Sequence, residues 1–192
     1  MKVGLFFGSY NPIHVGHLII ANHLAEHSDL DQVWFVVTPH SPFKKKSSLL
    51  DNYQRLEMVY RATEAYTKLR PSDIEFHLPQ PNYTINTLVY LQEKYPNHNF
   101  ALIMGEDNLK SFHKWKNFEG ILEHHHVYVY PRISKGPIET PFHKHKKVHF
   151  IDAPVMEISS TAIRKSIKEG KNVRPMLPEP VWAYLDEMNF YK

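Results

Sequence analysis

Four short runs of almost uninterrupted apolar residues constrain this chain more than any other feature: Val3 to Phe7, Val33 to Val37, Phe100 to Met104 and Val127 to Tyr130. A strand with one wet face alternates apolar and polar residues. A run with no polar side instead belongs to a strand covered on both faces. Between the runs the spacing changes. Leu18, Ala21, Asn22 and Ala25 recur at helical intervals, as do Leu56, Val59 and Ala62 behind a cap at Asp51 or Asn52, and Leu88 and Leu91 within a helix from about Thr84 to Lys94.

Ile74-Glu75-Phe76 reads as a weaker strand and Val148 to Ile151 as another, with a Pro/Gly/Lys-rich loop from Lys135 to Lys147 before it. Two helices close the chain. One opens at Ser159-Ser160-Thr161 and ends near Gly170; the other is opened by Pro178 and Pro180 and carries Val181, Trp182, Leu185 and Met188. Strands alternating with helices imply an α/β class: a single-domain, Rossmann-like arrangement over residues 1–192, with a mostly parallel sheet and helices on both faces. In such a sheet ligands gather at the carboxyl ends of the strands, near the point where the strand order reverses.

Composition narrows the function. Hydrophobic residues at 42% and charged residues at 22% suit a folded domain, and no stretch approaches the length of a membrane span. The amino-terminal MKVGLFFGS is too short for a secretion signal, so the expected address is the cytoplasm. Without cysteine, thiolate metal sites and thiol catalysis are excluded. A net charge of +3 fits small anionic ligands such as nucleotides better than a nucleic acid polymer. Although the chain has fourteen histidines, His124-His125-His126 would alternate faces on a strand, and the His143 to Lys147 run reads as a solvated loop, so neither is expected to bind metal.

Two short segments carry chemistry. In Gly8-Ser9-Tyr10-Asn11-Pro12-Ile13-His14-Val15-Gly16-His17 the glycine permits a close turn at the strand end, and two histidines stand three apart where a helix begins. A helix amino terminus attracts phosphate through free N–H groups and its dipole, and His14 and His17 can add donors on the same side. The segment is neither G-x-G-x-x-G nor a Walker loop. Far away, Ile158-Ser159-Ser160-Thr161-Ala162-Ile163-Arg164 places three hydroxyls and a cation at another helix start, the makings of a polyphosphate clamp.

His14-Val15-Gly16-His17 and Ile158 to Arg164 resemble the HxGH and ISSTxxR-type motifs of the nucleotidylyltransferase superfamily, and the chain is similar over nearly its whole length to the bacterial nicotinate-nucleotide adenylyltransferases within it. The resemblance implies that His14, His17, Lys44 and Arg164 are catalytic, with Lys44 in the loop after the second strand. It implies an ATP site of Gly8, Ser9, Tyr10, Gly105, Asp107, Ser159, Ser160 and Thr161, and a mononucleotide site of Tyr83, Thr84 and Trp115, whose indole would stack on a pyridine ring. Three positions depart from the family pattern: Phe7 for a glycine, Phe43 for a histidine and Asn86 for an aspartate.

The implied reaction moves AMP from ATP to the 5′-phosphate of nicotinate mononucleotide, giving deamido-NAD and pyrophosphate. Mg²⁺ would be held mainly by ATP phosphates and water, with no protein ligand. Rival expectations are the same transfer to nicotinamide mononucleotide or phosphopantetheine, or a nucleotide-binding module without turnover. A homo-oligomer stays open, because Trp182 and Tyr184 can pack internally or at a subunit contact; no membrane partner is expected.

Overall fold

The computed structural model describes residues 1–39, 49–133 and 140–192, so Phe43 and Lys44 lie outside the described residues. Six strands, β1 (Lys2–Gly8), β2 (Gln32–Val37), β3 (Leu69–Ser72), β4 (Asn99–Gly105), β5 (Val127–Tyr130) and β6 (Val148–Phe150), form one sheet in the order β3-β2-β1-β4-β5-β6. Every pairing is parallel. The apolar runs are central strands because both of their faces are covered. Val3 and Leu5, Val36, Leu102 and Met104, and Val127 and Val129 enter one core; Phe6, Val33 and Phe35, Ile103, and Tyr128 and Tyr130 enter the other. This is the period-two alternation of a strand, with apolar side chains on both sides.

The helices sort accordingly. Among the described residues, α1 (Val15–His27), α2 (Asn52–Thr63), α6 (Ser160–Lys168) and α7 (Glu179–Glu187) pack on the Phe6 side. On the Val3 side lie α3 (Thr84–Lys94), α4 (Glu106–Lys110) and α5 (Phe118–His124). Strand order reverses between β1 and β4, where the chain leaves the β3 edge and returns to the other side of β1, so their carboxyl ends at Gly8 and Gly105 flank the crevice expected of this topology.

Two expectations need correction. Ile74-Glu75-Phe76 is not a strand but most of a 3₁₀ turn, Ile74–His77, and the strand lies earlier, at Leu69-Arg70-Pro71-Ser72. Among the described residues β3 pairs with β2 alone, and an edge strand tolerates a proline and an exposed arginine that a central strand would not. His124 closes α5, and His125 and His126 connect it to β5 rather than lying on a strand. Trp182 and Tyr184 pack against the chain's own core, with the Arg61 guanidinium 4.4 Å from the Tyr184 ring centre.

Candidate active site

β1 ends at Gly8 against a buried ring. A Cβ on Gly8 would meet Tyr10 Cζ at 2.8 Å, so only glycine lets the chain turn over that side chain. Tyr10 has a φ of 46°, uncommon for a bulky residue, and is fixed there by full burial and by its hydroxyl, which donates to the Phe6 carbonyl. Its ring therefore belongs to the core, and what it offers the crevice is backbone.

His14 is the N-cap residue of α1 and His17 lies one turn on. Their rings stack with centres 3.6 Å apart and planes inclined by 22°. The His14 backbone N–H donates to His17 Nδ1 at 3.2 Å. That bond makes Nδ1 the acceptor and leaves the proton of neutral His17 on Nε2, so His17 presents a donor. His14 is buried, and its Nδ1 has no hydrogen-bond partner among the described residues. Burial, with the Arg132 charge adding to it, pulls its pKa down to about 4 and keeps it neutral at physiological pH. Gly16 makes room for this ring: a Cβ there would sit 3.1 Å from His14 Nδ1 and 3.6 Å from Ile158 Cβ.

The second segment meets the first at this point. Ser160 Oγ donates to the Pro12 carbonyl at 2.8 Å, and Arg164 Nη1 donates to the Asn11 carbonyl at 2.8 Å. Ser159 caps α6 by accepting from the Ala162 N–H at 3.2 Å, and Arg164 Nη2 reaches Thr161 Oγ1 at 3.4 Å. Residues about 150 positions apart thus form one cradle of imidazoles, hydroxyls and a guanidinium, all neutral or positive. Such a donor set suits an anion with several oxygens.

Sequence reasoning missed three residues behind the cradle. Arg55 is completely buried, and its N–H groups reach the carbonyls of Leu50 (3.0 Å), Ser9 (2.6 Å), Thr38 (2.9 Å) and, more distantly, Pro39 (3.5 Å), as well as Asn52 Oδ1 (2.6 Å). It binds the exits of β1 and β2 to α2. Tyr191, next to the carboxyl terminus, donates to Asn11 Oδ1 at 2.5 Å, the residue whose carbonyl receives Arg164. Arg132 follows β5, lies 3.9 Å from Asp107 Oδ1 and stacks over Tyr130. The one sequence signal was a cation just past a central strand. Gly105 holds this corner open, since a Cβ there would meet Asp107 Oδ1 at 2.4 Å.

Alongside the cradle runs a cavity of about 780 Å³, lined by Phe7, Gly8, Ser9, Thr38, Glu75, Asn82, Tyr83, Thr84 and Trp115, with Lys114 and Lys116 on its rim. Trp115 is half-buried, its ring 5.3 Å from that of Phe112, a core residue. Lys116 Nζ sits 4.6 Å above the Tyr83 ring. Thr84 opens α3, so the positive end of that helix faces the cavity wall. Gly8 and Ser9 line the cavity as well as leading into the cradle; Asp107 lies in α4 beside Arg132, and Ser159, Ser160 and Thr161 open α6.

Residues 5–166 match the family model described as cytidylyltransferase-like. The chain belongs to the cytidylyltransferase-like family. It is 69% identical over 192 residues, covering all of both chains, to a Flavobacterium johnsoniae protein named "Probable nicotinate-nucleotide adenylyltransferase". A Bacteroides fragilis protein of the same name is 46% identical, over 94% of this chain and 89% of its own. In architecture it is similar to the Plasmodium falciparum nicotinic acid mononucleotide adenylyltransferase complexed with APC, with a TM-score of 0.80 at 19% identity over 99% of this chain and 96% of the other. The same enzyme complexed with NaAD also gives 0.80. At that distance in sequence the likeness is one of fold.

Proposed function

We propose that the chain, as one domain over residues 1–192, transfers AMP from ATP to nicotinate mononucleotide, producing deamido-NAD and pyrophosphate. The observation that carries this reading is the docking of Ser160 and Arg164 onto the Asn11–Pro12 turn, which joins the paired histidines to the hydroxyl-lined start of α6. High identity to full-length relatives bearing the enzyme's name supports it.

In this reaction the acceptor phosphate is itself the nucleophile. With a second pKa near about 6 it is mostly ionised at neutral pH, so the protein needs no general base. The task is alignment and charge neutralisation. The Nε2–H of His17 donates to the α-phosphate, where charge develops, and neutral His14 supports it by stacking. Ser159, Ser160 and Thr161 with Arg164 hold the leaving phosphates, and Lys44 adds a second cation. Among the described residues no three His, Asp, Glu or Cys side chains group to hold a metal ion, and the cradle's own donors are neutral or cationic. Mg²⁺ would accordingly be carried by ATP oxygens and water, supplying charge neutralisation on the triphosphate. Gly8, Ser9, Tyr10, Gly105 and Asp107 border the adenosine. Tyr83, Thr84 and Trp115 take the pyridine, with the α3 amino terminus favouring its carboxylate. The partners are these two nucleotides and the setting is the cytoplasm; among the described residues no helix is long and apolar enough to cross a membrane.

The test is pyrophosphate release with ATP and Mg²⁺, comparing nicotinate mononucleotide, nicotinamide mononucleotide and phosphopantetheine. A kcat/KM preference for the nicotinate form is expected. Preference for another acceptor overturns the substrate, and nucleotide binding without release overturns the enzyme. Trp115→Ala should raise KM for the mononucleotide well above any change in KM for ATP.

A further inference from the structure

The cavity wall contains a carboxyl that the transfer chemistry does not use. Glu75 is 2% exposed, and no salt bridge reaches it among the described residues. It makes two bonds. Its Oε1 accepts the Thr87 hydroxyl at 2.8 Å, and its backbone carbonyl accepts Asn82 Nδ2 at 3.1 Å. Asn82 and Thr87 flank Tyr83 and Thr84 in the chain, and Tyr83, the N-cap residue of α3, makes no side-chain cap bond. The start of α3 is therefore tied down by Glu75 instead of by its own cap.

We propose that Glu75 is a positioning residue for the mononucleotide end of the crevice, fixing Tyr83 and Thr84 by bonding the chain on both sides of them. The inference rests on the reading of this cavity as the mononucleotide subsite. The bonds use Glu75 as an acceptor and require no charge. Burial raises its pKa above the ordinary carboxyl value, against the hydrogen bonds from Thr87 and Thr38, which lower it. Two buried oxygens of the wall, Glu75 Oε2 and Asn82 Oδ1, have no hydrogen-bond partner among the described residues.

The experiment measures KM for nicotinate mononucleotide at saturating ATP and KM for ATP at saturating mononucleotide, in Glu75→Ala, Glu75→Gln, Thr87→Val and the control Trp115→Ala. Glu75→Ala should raise the mononucleotide KM about tenfold, the worth of one well-made buried hydrogen bond, while the ATP KM stays within about twofold. Thr87→Val, which preserves shape and carries the test if Glu75→Ala does not fold, should act in the same direction. Glu75→Gln, with an acceptor and a donor but no charge, should restore the mononucleotide KM to within about threefold of the parent. The inference is overturned if Glu75→Ala and Thr87→Val leave that KM unchanged, if they raise both KM values alike, or if Gln is no better than Ala. A normal mononucleotide KM in Trp115→Ala removes the subsite reading itself, and the inference with it; a raised one beside an unchanged Thr87→Val removes the inference alone.

Discussion

His17 presents a donor because the chain's own backbone occupies its other nitrogen. Substituting it by Ala should lower kcat by at least about a hundredfold, the cost of one preorganised donor to developing charge; activity within a few-fold of the parent would remove it from the reaction. His14 gives a prediction about pH. Its folded pKa of about 4 lies below the ordinary value of 6.5, so the unfolded chain binds the extra proton first as pH falls. Stability is complete above pH 6.5 and drains away down to about pH 4. Between pH 7 and pH 5 this one group should cost about 2 kcal/mol, visible in urea unfolding and absent in a His14→Asn variant. Both histidines were legible because their partners are three residues apart. Arg55 was not: its acceptors at Ser9, Thr38, Pro39 and Leu50 converge only after two strands and a helix have packed, and in sequence it is an arginine on an amphipathic helix.

At the scale of elements, α1 trades some helical preference for the placement of His14. Alanine in a helix is ordinarily about 0.5–1 kcal/mol better than glycine. Gly16→Ala should therefore change thermal stability little, the helical gain being set against the new methyl 3.1 Å from the imidazole, while kcat falls about tenfold. A melting curve and a rate measurement on the same sample check both halves, and loss of stability without loss of rate would contradict the account. Central strands and long helices were readable because an unbroken apolar run marks a strand covered on both faces and a 3.6-residue recurrence marks a helix. β3 was not, because a strand paired on one side is allowed Arg70 and Pro71. α4 and α5 escaped for a different reason: each is short and takes its stability from packing Leu109, Ile121 and Leu122 into the core rather than from a long apolar stripe.

Over the whole molecule, the cradle depends on the last residues of the chain. Tyr191→Phe removes the hydroxyl that holds the Asn11 side chain, and about 1 kcal/mol should go with it, a fall in Tm of about 2–4 °C for a chain of this size. The ATP KM should rise more than the mononucleotide KM, because Asn11 also receives Arg164. Equal changes, or none, would show the bond to be incidental. The fold class and the pairing of the two motifs could be anticipated, but the contribution of the carboxyl terminus could not, since Asn11 and Tyr191 are 180 residues apart and carry no shared pattern. That distance has a consequence during synthesis. A nascent chain that has already emerged through residue 150 owns all six strands, yet it lacks Ser160, Arg164 and Tyr191, and hence the closed cradle. The sheet can therefore be complete before the nucleotide cradle is, and the cradle closes only once the chain through Tyr191 has packed back onto the Asn11–Pro12 turn.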